Sequence, residues 1–370
     1  MKTHKNLILL IVTILSLSIV ACKKKGCTDP SASNYNSTAK KDNGTCKYDT
    51  ITEPTATLQR VFYGLDTRQH FDLYLPPGHN QNTKTILMIH GGAWVLGVND
   101  DNSVQTFNGA VIDIVSGLLD EGYACAIMKY RLACYTTVNS NLTNNPNFYM
   151  DDMKEDIDLA INKLKSDATN LGISNNYFAL IGESAGANIA LLYGLNSTSD
   201  TDLKTIISMF APTLMDEVQF KTNMTNAPYN NLPIINGVYI RKKANNCSLV
   251  TNQSVNFAWT LNSLCGITLT PSTTNPSYTN PLSPAYSGNI QRNLPVFLMH
   301  GSSDNLVPSS HADSMIVRLN SIYGTVNPST NDFTGQHKMI KYQNCGHGWS
   351  GSCNKMIIKQ DVIKWMNSHF

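Results

Sequence analysis

Short apolar runs alternate with stretches of helical periodicity from about residue 55 to the C-terminus. The runs show no polar alternation, which is typical of strands buried on both faces, and such strands occur mainly in parallel sheets covered by helices. We therefore predict an α/β fold in which a doubly wound, mostly parallel sheet carries helices on both faces. The predicted strands lie at 84–90, 123–130, 176–182, 204–210, 294–300 and 337–343.

Residues 214–293 interrupt this alternation with a segment that is rich in Asn, Thr and Pro. A connection of this length inside a compact domain is usually a functional cover or a small subdomain of its own. We expect it to be a cap insertion within a single large domain, residues 55–370.

The N-terminus has the layout of an export signal. Two lysines precede an apolar run over 7–20, and Ala21 stands directly before Cys22. The run is shorter than the roughly 20 residues of a membrane span. The string IVAC resembles the bacterial lipobox, which implies a lipoprotein signal peptide at 1–21 and lipidation of Cys22; an ordinary signal peptide is the alternative. We expect a cell-envelope protein that is anchored through Cys22 in the outer membrane or at the cell surface, or else secreted.

Residues 22–54 are polar and rich in turn-forming residues, so they cannot build a hydrophobic core of their own. The string GCTDPSASNYNSTAKKDNGTCKY resembles a cysteine-bracketed module that recurs in surface proteins of some Gram-negative bacteria. This resemblance implies a spacer or adhesive role without chemistry. We predict a small module followed by a linker.

Eight cysteines remain when Cys22 is set aside. An even number in an exported chain favours disulfides over metal ligands, because the compartment is oxidising and the chain has no Cys-x-x-Cys pair. The simplest of the many connectivities pairs cysteines that are close in sequence. It predicts the bonds Cys27–Cys46, Cys125–Cys134, Cys247–Cys265 and Cys345–Cys353.

The charge of the chain excludes one class of partner. The formal net charge is +2 and charged residues make up 15% of the chain, so there is no basic field of the kind that nucleic-acid binding requires. We expect no nucleic-acid partner.

The string GESAG at 182–186 lies between an apolar strand-like run and the helical pattern AGANIALLYGL. A glycine-bracketed serine in a strand–turn–helix context predicts a nucleophile elbow, in which Ser184 projects above the sheet. The alternative for Ser184 is a helix cap beside a close-packed glycine turn.

A serine hydroxyl needs a base, and the base needs a carboxylate that orients it. Asp304 and His347 directly follow the last two predicted strands, in the chain order Ser, Asp, His that is typical of nucleophile-elbow enzymes. Asp313 is a weaker candidate for the acid. Four other histidines are expected elsewhere. We expect His90 and His300 to lie in the core or to brace neighbouring loops, His311 to lie on a helix, and His337 to begin a strand.

An oxyanion hole needs preorganised backbone donors. The amide of Ala185, at the start of the helix, is one. The loop after the strand at 84–90 supplies the other: Gly92 is our first choice, with Gly91 or Ala93 as alternatives. Trp94 either lines the substrate pocket or packs the loop.

Four strings, HGGAW, GESAG, HGSSD and CGHGW, occur in this order and resemble motifs of the α/β-hydrolase superfamily. Within it, the chain resembles the hormone-sensitive-lipase-type and feruloyl-esterase-like carboxylesterases, over roughly 55–370. The resemblance implies no metal and no organic cofactor. It also implies that Ser184 is the nucleophile, His347 the general base and Asp304 the acid that orients His347. The implied oxyanion donors are Gly91, Gly92 and Ala185.

The sequence thus predicts a serine carboxylic-ester hydrolase that acts on a small-molecule ester or on acylated carbohydrate. Two alternatives stay open. One is a serine peptidase of the prolyl-oligopeptidase type, although residues 23–55 are too few for the propeller domain of that family. The other is a non-catalytic surface binding protein on a hydrolase scaffold.

Overall fold

A computed structural model describes the chain in segments. The chain divides into two compact units, Met1–Thr50 and Ile51–Phe370. The described residues are 24–28, 36, 38–46, 57–92, 94, 109–132, 150–196, 201–215, 239–243, 246–250, 283–285, 287–325, 329 and 331–370. The predicted signal peptide and Cys22 lie outside them. Among the described residues, no helix combines the length and apolar character needed to span a membrane.

A disulfide and short local hydrogen bonds hold the described part of the first unit. Cys27 and Cys46 form the predicted disulfide, and Lys25–Gly26 pairs in parallel with Lys41–Asp42. The Asp42 carboxylate accepts the backbone N–H of Gly44 at 3.0 Å, as expected for an aspartate in a turn. The cross-link thus supplies stability that a hydrophobic core would supply in a larger domain.

An eight-stranded sheet forms the centre of the second unit. The strands are β1 (Thr57–Phe62), β2 (His70–Leu75), β3 (Thr85–Ile89), β4 (Ala124–Lys129), β5 (Phe178–Glu183), β6 (Leu203–Met209), β7 (Val296–Gly301) and β8 (His337–Tyr342). Their spatial order is β8-β7-β6-β5-β3-β4-β2-β1. β2 is antiparallel to its neighbours β1 and β4, and all the other pairs are parallel. The mostly parallel sheet is therefore confirmed.

The two antiparallel strands at one edge, β1 and β2, were not among the predicted strands. β1 is an edge strand whose residues alternate between exposed and half-buried over its second half, and β2 carries a buried aspartate, so neither has the continuous apolar character of the central strands. Asp72 of β2 is tolerated there because Arg60 of β1 pairs with it, Nε to Oδ1 at 2.7 Å.

Helices cover both faces of the sheet, as predicted. The helices are α1 (Gly109–Asp120), α2 (Met150–Leu171), α3 (Ala185–Asn196), α4 (Ser310–Tyr323) and α5 (Lys355–His369). One hydrophobic cluster includes Ile157, Ile189 and Leu319, from α2, α3 and α4. The other cluster includes Ile114 and Trp365, from α1 and α5.

The predicted cap insertion is described only in part. Tyr239–Lys243 and Asn246–Val250 form a two-stranded antiparallel ribbon, and Leu214 and Met215 are buried at the beginning of the segment. Most of the segment lies outside the described residues.

One predicted disulfide is wrong. Cys125, near the beginning of β4, is a free thiol that is fully buried in the cluster under α1 and α5. Its side chain packs on the face of the sheet that these helices cover, and burial raises the pKa of the thiol. Cys134, its predicted partner, lies outside the described residues. Cys345 and Cys353 are bonded as predicted. Cys265, the predicted partner of Cys247, lies outside the described residues.

A carboxyl group is buried at the end of β5. Ala179 and Ile181 pack into the cluster under α1 and α5, and strand alternation directs Glu183 to the same face. Oε1 of Glu183 is buried without a hydrogen-bond partner. Burial raises the pKa of Glu183 to about 8. The folded protein therefore holds a proton on Glu183 at pH values at which the unfolded chain has released it.

Glu183→Gln should remove this linkage. Between about pH 5 and pH 8 the parent's free energy of unfolding should fall relative to the variant's as pH rises, with a limiting slope of about 1.4 kcal/mol per pH unit. Urea denaturation at several pH values measures the difference. Glu121→Gln, at an exposed glutamate, is the control, and its free energy of unfolding should change with pH in the same way as the parent's. If the free energy of unfolding of Glu183→Gln also followed the parent's pH dependence, the prediction would be contradicted.

Candidate active site

Ser184 lies in the sharp turn between β5 and α3. Its φ is 48°, in the left-handed region that non-glycine residues rarely occupy. Its N–H donates to the carbonyl of Met209 in β6 at 2.9 Å, and its carbonyl accepts the N–H of Asn188 in α3 at 3.0 Å. Ser184 therefore ends a strand, begins a helix and projects its hydroxyl away from both.

Two glycines make this turn sterically feasible. A Cβ atom on Gly182 would lie 2.5 Å from the Cα of Ala187, and one on Gly186 would lie 2.2 Å from the carbonyl oxygen of Ile89. Neither neighbour can retreat, because both are backbone atoms. The glycines of the motif are thus required by the close approach of α3 to β3 and β5.

The predicted triad residues lie in one hydrogen-bonded line. Nε2 of His347 is 3.0 Å from Oγ of Ser184, and Nδ1 of His347 is 2.8 Å from Oδ2 of Asp304. The three residues follow β5, β7 and β8, whose carboxyl ends meet at the same edge of the sheet. The arrangement can remove a proton from a hydroxyl and stabilise the resulting imidazolium.

Asp304 is buried but extensively hydrogen-bonded. Its Oδ1 accepts the backbone N–H groups of Leu306 and Val307, each at 2.9 Å, and Nε2 of His300 lies 3.4 Å from Oδ2. Burial by itself would raise the pKa of Asp304. The charge of His347 and the hydrogen bonds of both histidines outweigh it and hold this pKa well below its ordinary value. Asp304 is therefore a carboxylate at neutral pH.

The loop that carries His347 is fixed at several points. The disulfide between Cys345 and Cys353 closes it at the base, and the N–H of Gly346 donates to the carbonyl of Ser350 at 2.8 Å. The ring of Phe210, which follows β6, packs edge-on against the His347 imidazole with 4.8 Å between centroids. Together these contacts orient the imidazole toward Ser184.

The expected oxyanion donors lie beside Ser184. Ala185 is the first residue of α3, where backbone N–H groups have no acceptor within the helix. Gly91 is adjacent: a Cβ on it would lie 3.2 Å from the Cβ of Ser184. The peptide between Gly91 and Gly92 therefore borders Ser184. Ala93, the other alternative, lies outside the described residues.

The remaining candidates have other roles. Asp313 is engaged by Nζ of Lys341 at 2.6 Å, and Nδ1 of His311 accepts the N–H of Thr213 at 2.9 Å in the core. His337 is fully buried at the beginning of β8, and so at the opposite end of that strand from His347.

Trp94 is only 1% exposed and belongs to a core cluster, which favours packing of the loop over an open pocket wall.

Sequence reasoning missed the contribution of Phe210. No sequence motif surrounds Phe210, which directly follows β6. Its contact with His347 arises because β6 and β7 are neighbours in the sheet. Its positive φ of 43° is a structural sign of constraint. The described residues contain no cluster of three or more side chains suited to hold a metal ion.

Similar proteins of known sequence cover parts of the chain. Esterase LipC of Mycobacterium tuberculosis is 23% identical over 266 residues, which is 71% of this chain and 55% of that protein. The isoprenylcysteine alpha-carbonyl methylesterase ICME of Arabidopsis thaliana is 28% identical over 130 residues, 35% of this chain and 26% of that protein. The chain thus spans about half the length of these relatives, or less.

Solved structures resemble the chain over most of its length. A truncated carbohydrate esterase from gut microbiota has a TM-score of 0.53 at 16% identity and covers 85% of this chain and 99% of its own. An arylesterase has a TM-score of 0.54 at 14% identity, with 86% of each chain covered. At these identities the likeness concerns the fold, and it confirms the predicted α/β-hydrolase fold.

The BD-FAE family model matches residues 71–319. This region extends from β2 into α4 and so contains the elbow, the glycine loop after β3 and Asp304. Since it covers more than half of the sequence, the chain belongs to the BD-FAE family of α/β-hydrolase esterases.

Proposed function

We propose that this protein is a serine carboxylic-ester hydrolase with Ser184 as nucleophile, His347 as general base and acid, and Asp304 as the group that orients His347. The hydrogen-bonded line from Ser184 through His347 to Asp304, with distances of 3.0 and 2.8 Å, carries the proposal. Membership of the BD-FAE family supports it independently.

In the first half of the reaction, Oγ of Ser184 attacks the ester carbonyl carbon while Nε2 of His347 accepts the hydroxyl proton. The carbonyl oxygen becomes an oxyanion, which the N–H groups of Gly92 and Ala185 stabilise. When the intermediate collapses, the bond to the leaving alcohol breaks and His347 gives its proton to the alkoxide. An acyl-enzyme on Ser184 remains.

In the second half, His347 removes a proton from water as the water oxygen attacks the acyl carbon. The second tetrahedral intermediate uses the same donors and expels Oγ of Ser184, which takes the proton back from His347. The carboxylic acid product leaves, and the triad returns to its starting state. Asp304 stays ionised throughout and stabilises the imidazolium that forms in both halves.

The substrate that we propose is an acylated carbohydrate, such as an acetyl or feruloyl ester of a plant polysaccharide. The likeness to the carbohydrate esterase from gut microbiota supports this class, and an envelope location would give access to such polymers. A small lipid or xenobiotic ester is the second candidate, because other relatives and structural neighbours are named esterases without mention of carbohydrate.

Hydrolysis of p-nitrophenyl acetate by the parent and by Ser184→Ala tests the activity. We expect turnover in the parent and a loss of at least about 10³-fold in kcat in the variant. A fluorophosphonate probe should label the parent on the peptide that contains Ser184 and leave the variant unlabelled.

Asp304→Asn should keep the fold and lower kcat by up to about 10⁴-fold, because the histidine loses its orienting anion.

Three outcomes would count against this proposal. An inactive but folded parent would favour the scaffold alternative, and labelling at another residue would overturn the assigned nucleophile. Faster turnover of prolyl peptide amides than of any ester would favour the peptidase.

Opening the Cys345–Cys353 disulfide should slow the reaction. In the double variant Cys345→Ser/Cys353→Ser, the loss of a cross-link that closes a short loop should lower the free energy of unfolding by roughly 2–3 kcal/mol. It should also lower kcat more than it changes KM, because His347 loses its fixed orientation. Steady-state kinetics well below the unfolding temperature separate the two effects. The control, Cys27→Ser/Cys46→Ser, opens the disulfide of the other unit and should keep the parent's kcat.

We also propose that the protein is anchored to the cell envelope by a lipid on Cys22. The basic start, the apolar run and the IVAC string carry this proposal. Cys22→Ser should move the protein from the membrane fraction to the soluble fraction and abolish incorporation of a palmitate analogue. Ser16→Ala, within the apolar run, is the control and should leave both unchanged. An unaltered distribution of Cys22→Ser would contradict the anchor.

A further inference from the structure

A buried arginine lies behind the glycine loop although it belongs to none of the four strings HGGAW, GESAG, HGSSD and CGHGW. Arg68, in the turn between β1 and β2, is only 4% exposed. Its Nε donates to the carbonyl of Tyr130 at 2.9 Å, and its Nη2 lies 3.4 Å from Nε2 of His90. We propose that Arg68 is a positioning residue that shapes the oxyanion hole by fixing the tautomer of His90, an inference that rests on the proposed function.

The chemistry of arginine settles which nitrogen of His90 carries the proton. A guanidinium can only donate hydrogen bonds, so Nε2 of His90 must present its lone pair to Arg68. Burial, followed by the charge of Arg68, lowers the pKa of His90 to about 3, so the ring is neutral at physiological pH. The single ring proton is therefore on Nδ1, which lies 2.6 Å from the carbonyl oxygen of Gly91 and donates to it.

This hydrogen bond controls the direction of the peptide between Gly91 and Gly92. In a trans peptide the carbonyl and the N–H point to opposite sides. With the Gly91 carbonyl held on the His90 side, the N–H of Gly92 is directed away from His90. The ring of Tyr130 stacks on the His90 imidazole with 4.5 Å between centroids, which opposes rotation of the imidazole. The Tyr130 hydroxyl donates to the carbonyl of His90 at 3.1 Å and lies 3.5 Å from the carbonyl oxygen of Gly91, so it supports the same orientation of the loop.

The other tautomer would have the opposite effect. With the proton on Nε2, the lone pair of Nδ1 would face the lone pairs of the Gly91 oxygen at 2.6 Å, which is repulsive. Rotation of the peptide would relieve the repulsion and withdraw the Gly92 N–H. Arg68 disfavours this tautomer, because an N–H on Nε2 would point at a cation that has no acceptor.

Arg68→Met tests the proposal, since methionine keeps much of the volume but cannot donate. We expect kcat for p-nitrophenyl acetate to fall about 10- to 100-fold with KM changed by less than about twofold, because the donor acts on the oxyanion and not on the bound ester. In protein with ¹⁵N-labelled histidine, the parent's His90 should show a protonated Nδ1 and a bare Nε2. The variant should show the proton shifted toward Nε2.

A double-mutant cycle separates this role from a general structural one. Asparagine at position 90 has a donor with no tautomer, so Arg68→Met should add little to the effect of His90→Asn if Arg68 acts through the ring. Additive effects, or an unchanged tautomer in Arg68→Met, would overturn the proposal.

Arg68→Lys covers the case in which Arg68→Met does not fold. Lysine keeps a charged donor, and we expect the parent tautomer and most of the parent's kcat. A large loss of kcat with the tautomer intact would overturn the role of the ring. The proposed function is tested separately: a parent without Ser184-dependent turnover refutes the hydrolase, whereas the tautomer is read by NMR whether or not the ester is cleaved.

Discussion

The left-handed turn at Ser184 is the constraint on which the site depends. A non-glycine residue with a φ of 48° carries a strain of roughly 1–3 kcal/mol, which the surrounding structure has to offset. The offset comes from packing: β5 is buried between β3 and β6, and α3 lies so close to the sheet that Gly182 and Gly186 cannot carry a side chain. The turn in return raises the hydroxyl above the sheet and begins the helix whose first amide is Ala185.

The other functional groups reach this turn because the sheet is parallel. The loop with Gly91, the loop with Asp304 and the loop with His347 follow β3, β7 and β8, and all of these strands end at the same edge. The two later loops are also joined to each other, since the N–H of Ser303 donates to the carbonyl of Cys345 at 2.9 Å. The backbone contacts of these loops therefore help to set the distances between Ser184, His347 and Asp304.

The sequence predicts the parts of this design that are local. The central strands are continuous apolar runs, the glycines around Ser184 mark the turn, and Asp304 and His347 each follow directly after a strand. The features that were missed or wrong depend on distant neighbours. Cys125 is a buried free thiol because its side chain lies on the face of β4 that α1 and α5 cover. Phe210 meets His347 only through strand order, and β1 and β2 have a mixed pattern because they form the antiparallel edge.

Two carboxyl groups of the candidate site show why burial alone does not decide charge. Asp304 is buried with four hydrogen-bond donors around it, so its pKa falls and it remains an anion that favours the imidazolium of His347. Glu183 is buried beside Ser184 with Oε1 unpaired, and its pKa of about 8 keeps it mostly protonated at neutral pH. A second anion at that position would add negative charge beside Ser184, where the proposed reaction develops an oxyanion. Burial without a partner for Oε1 therefore favours a neutral Glu183, while the donors around Asp304 favour its carboxylate form.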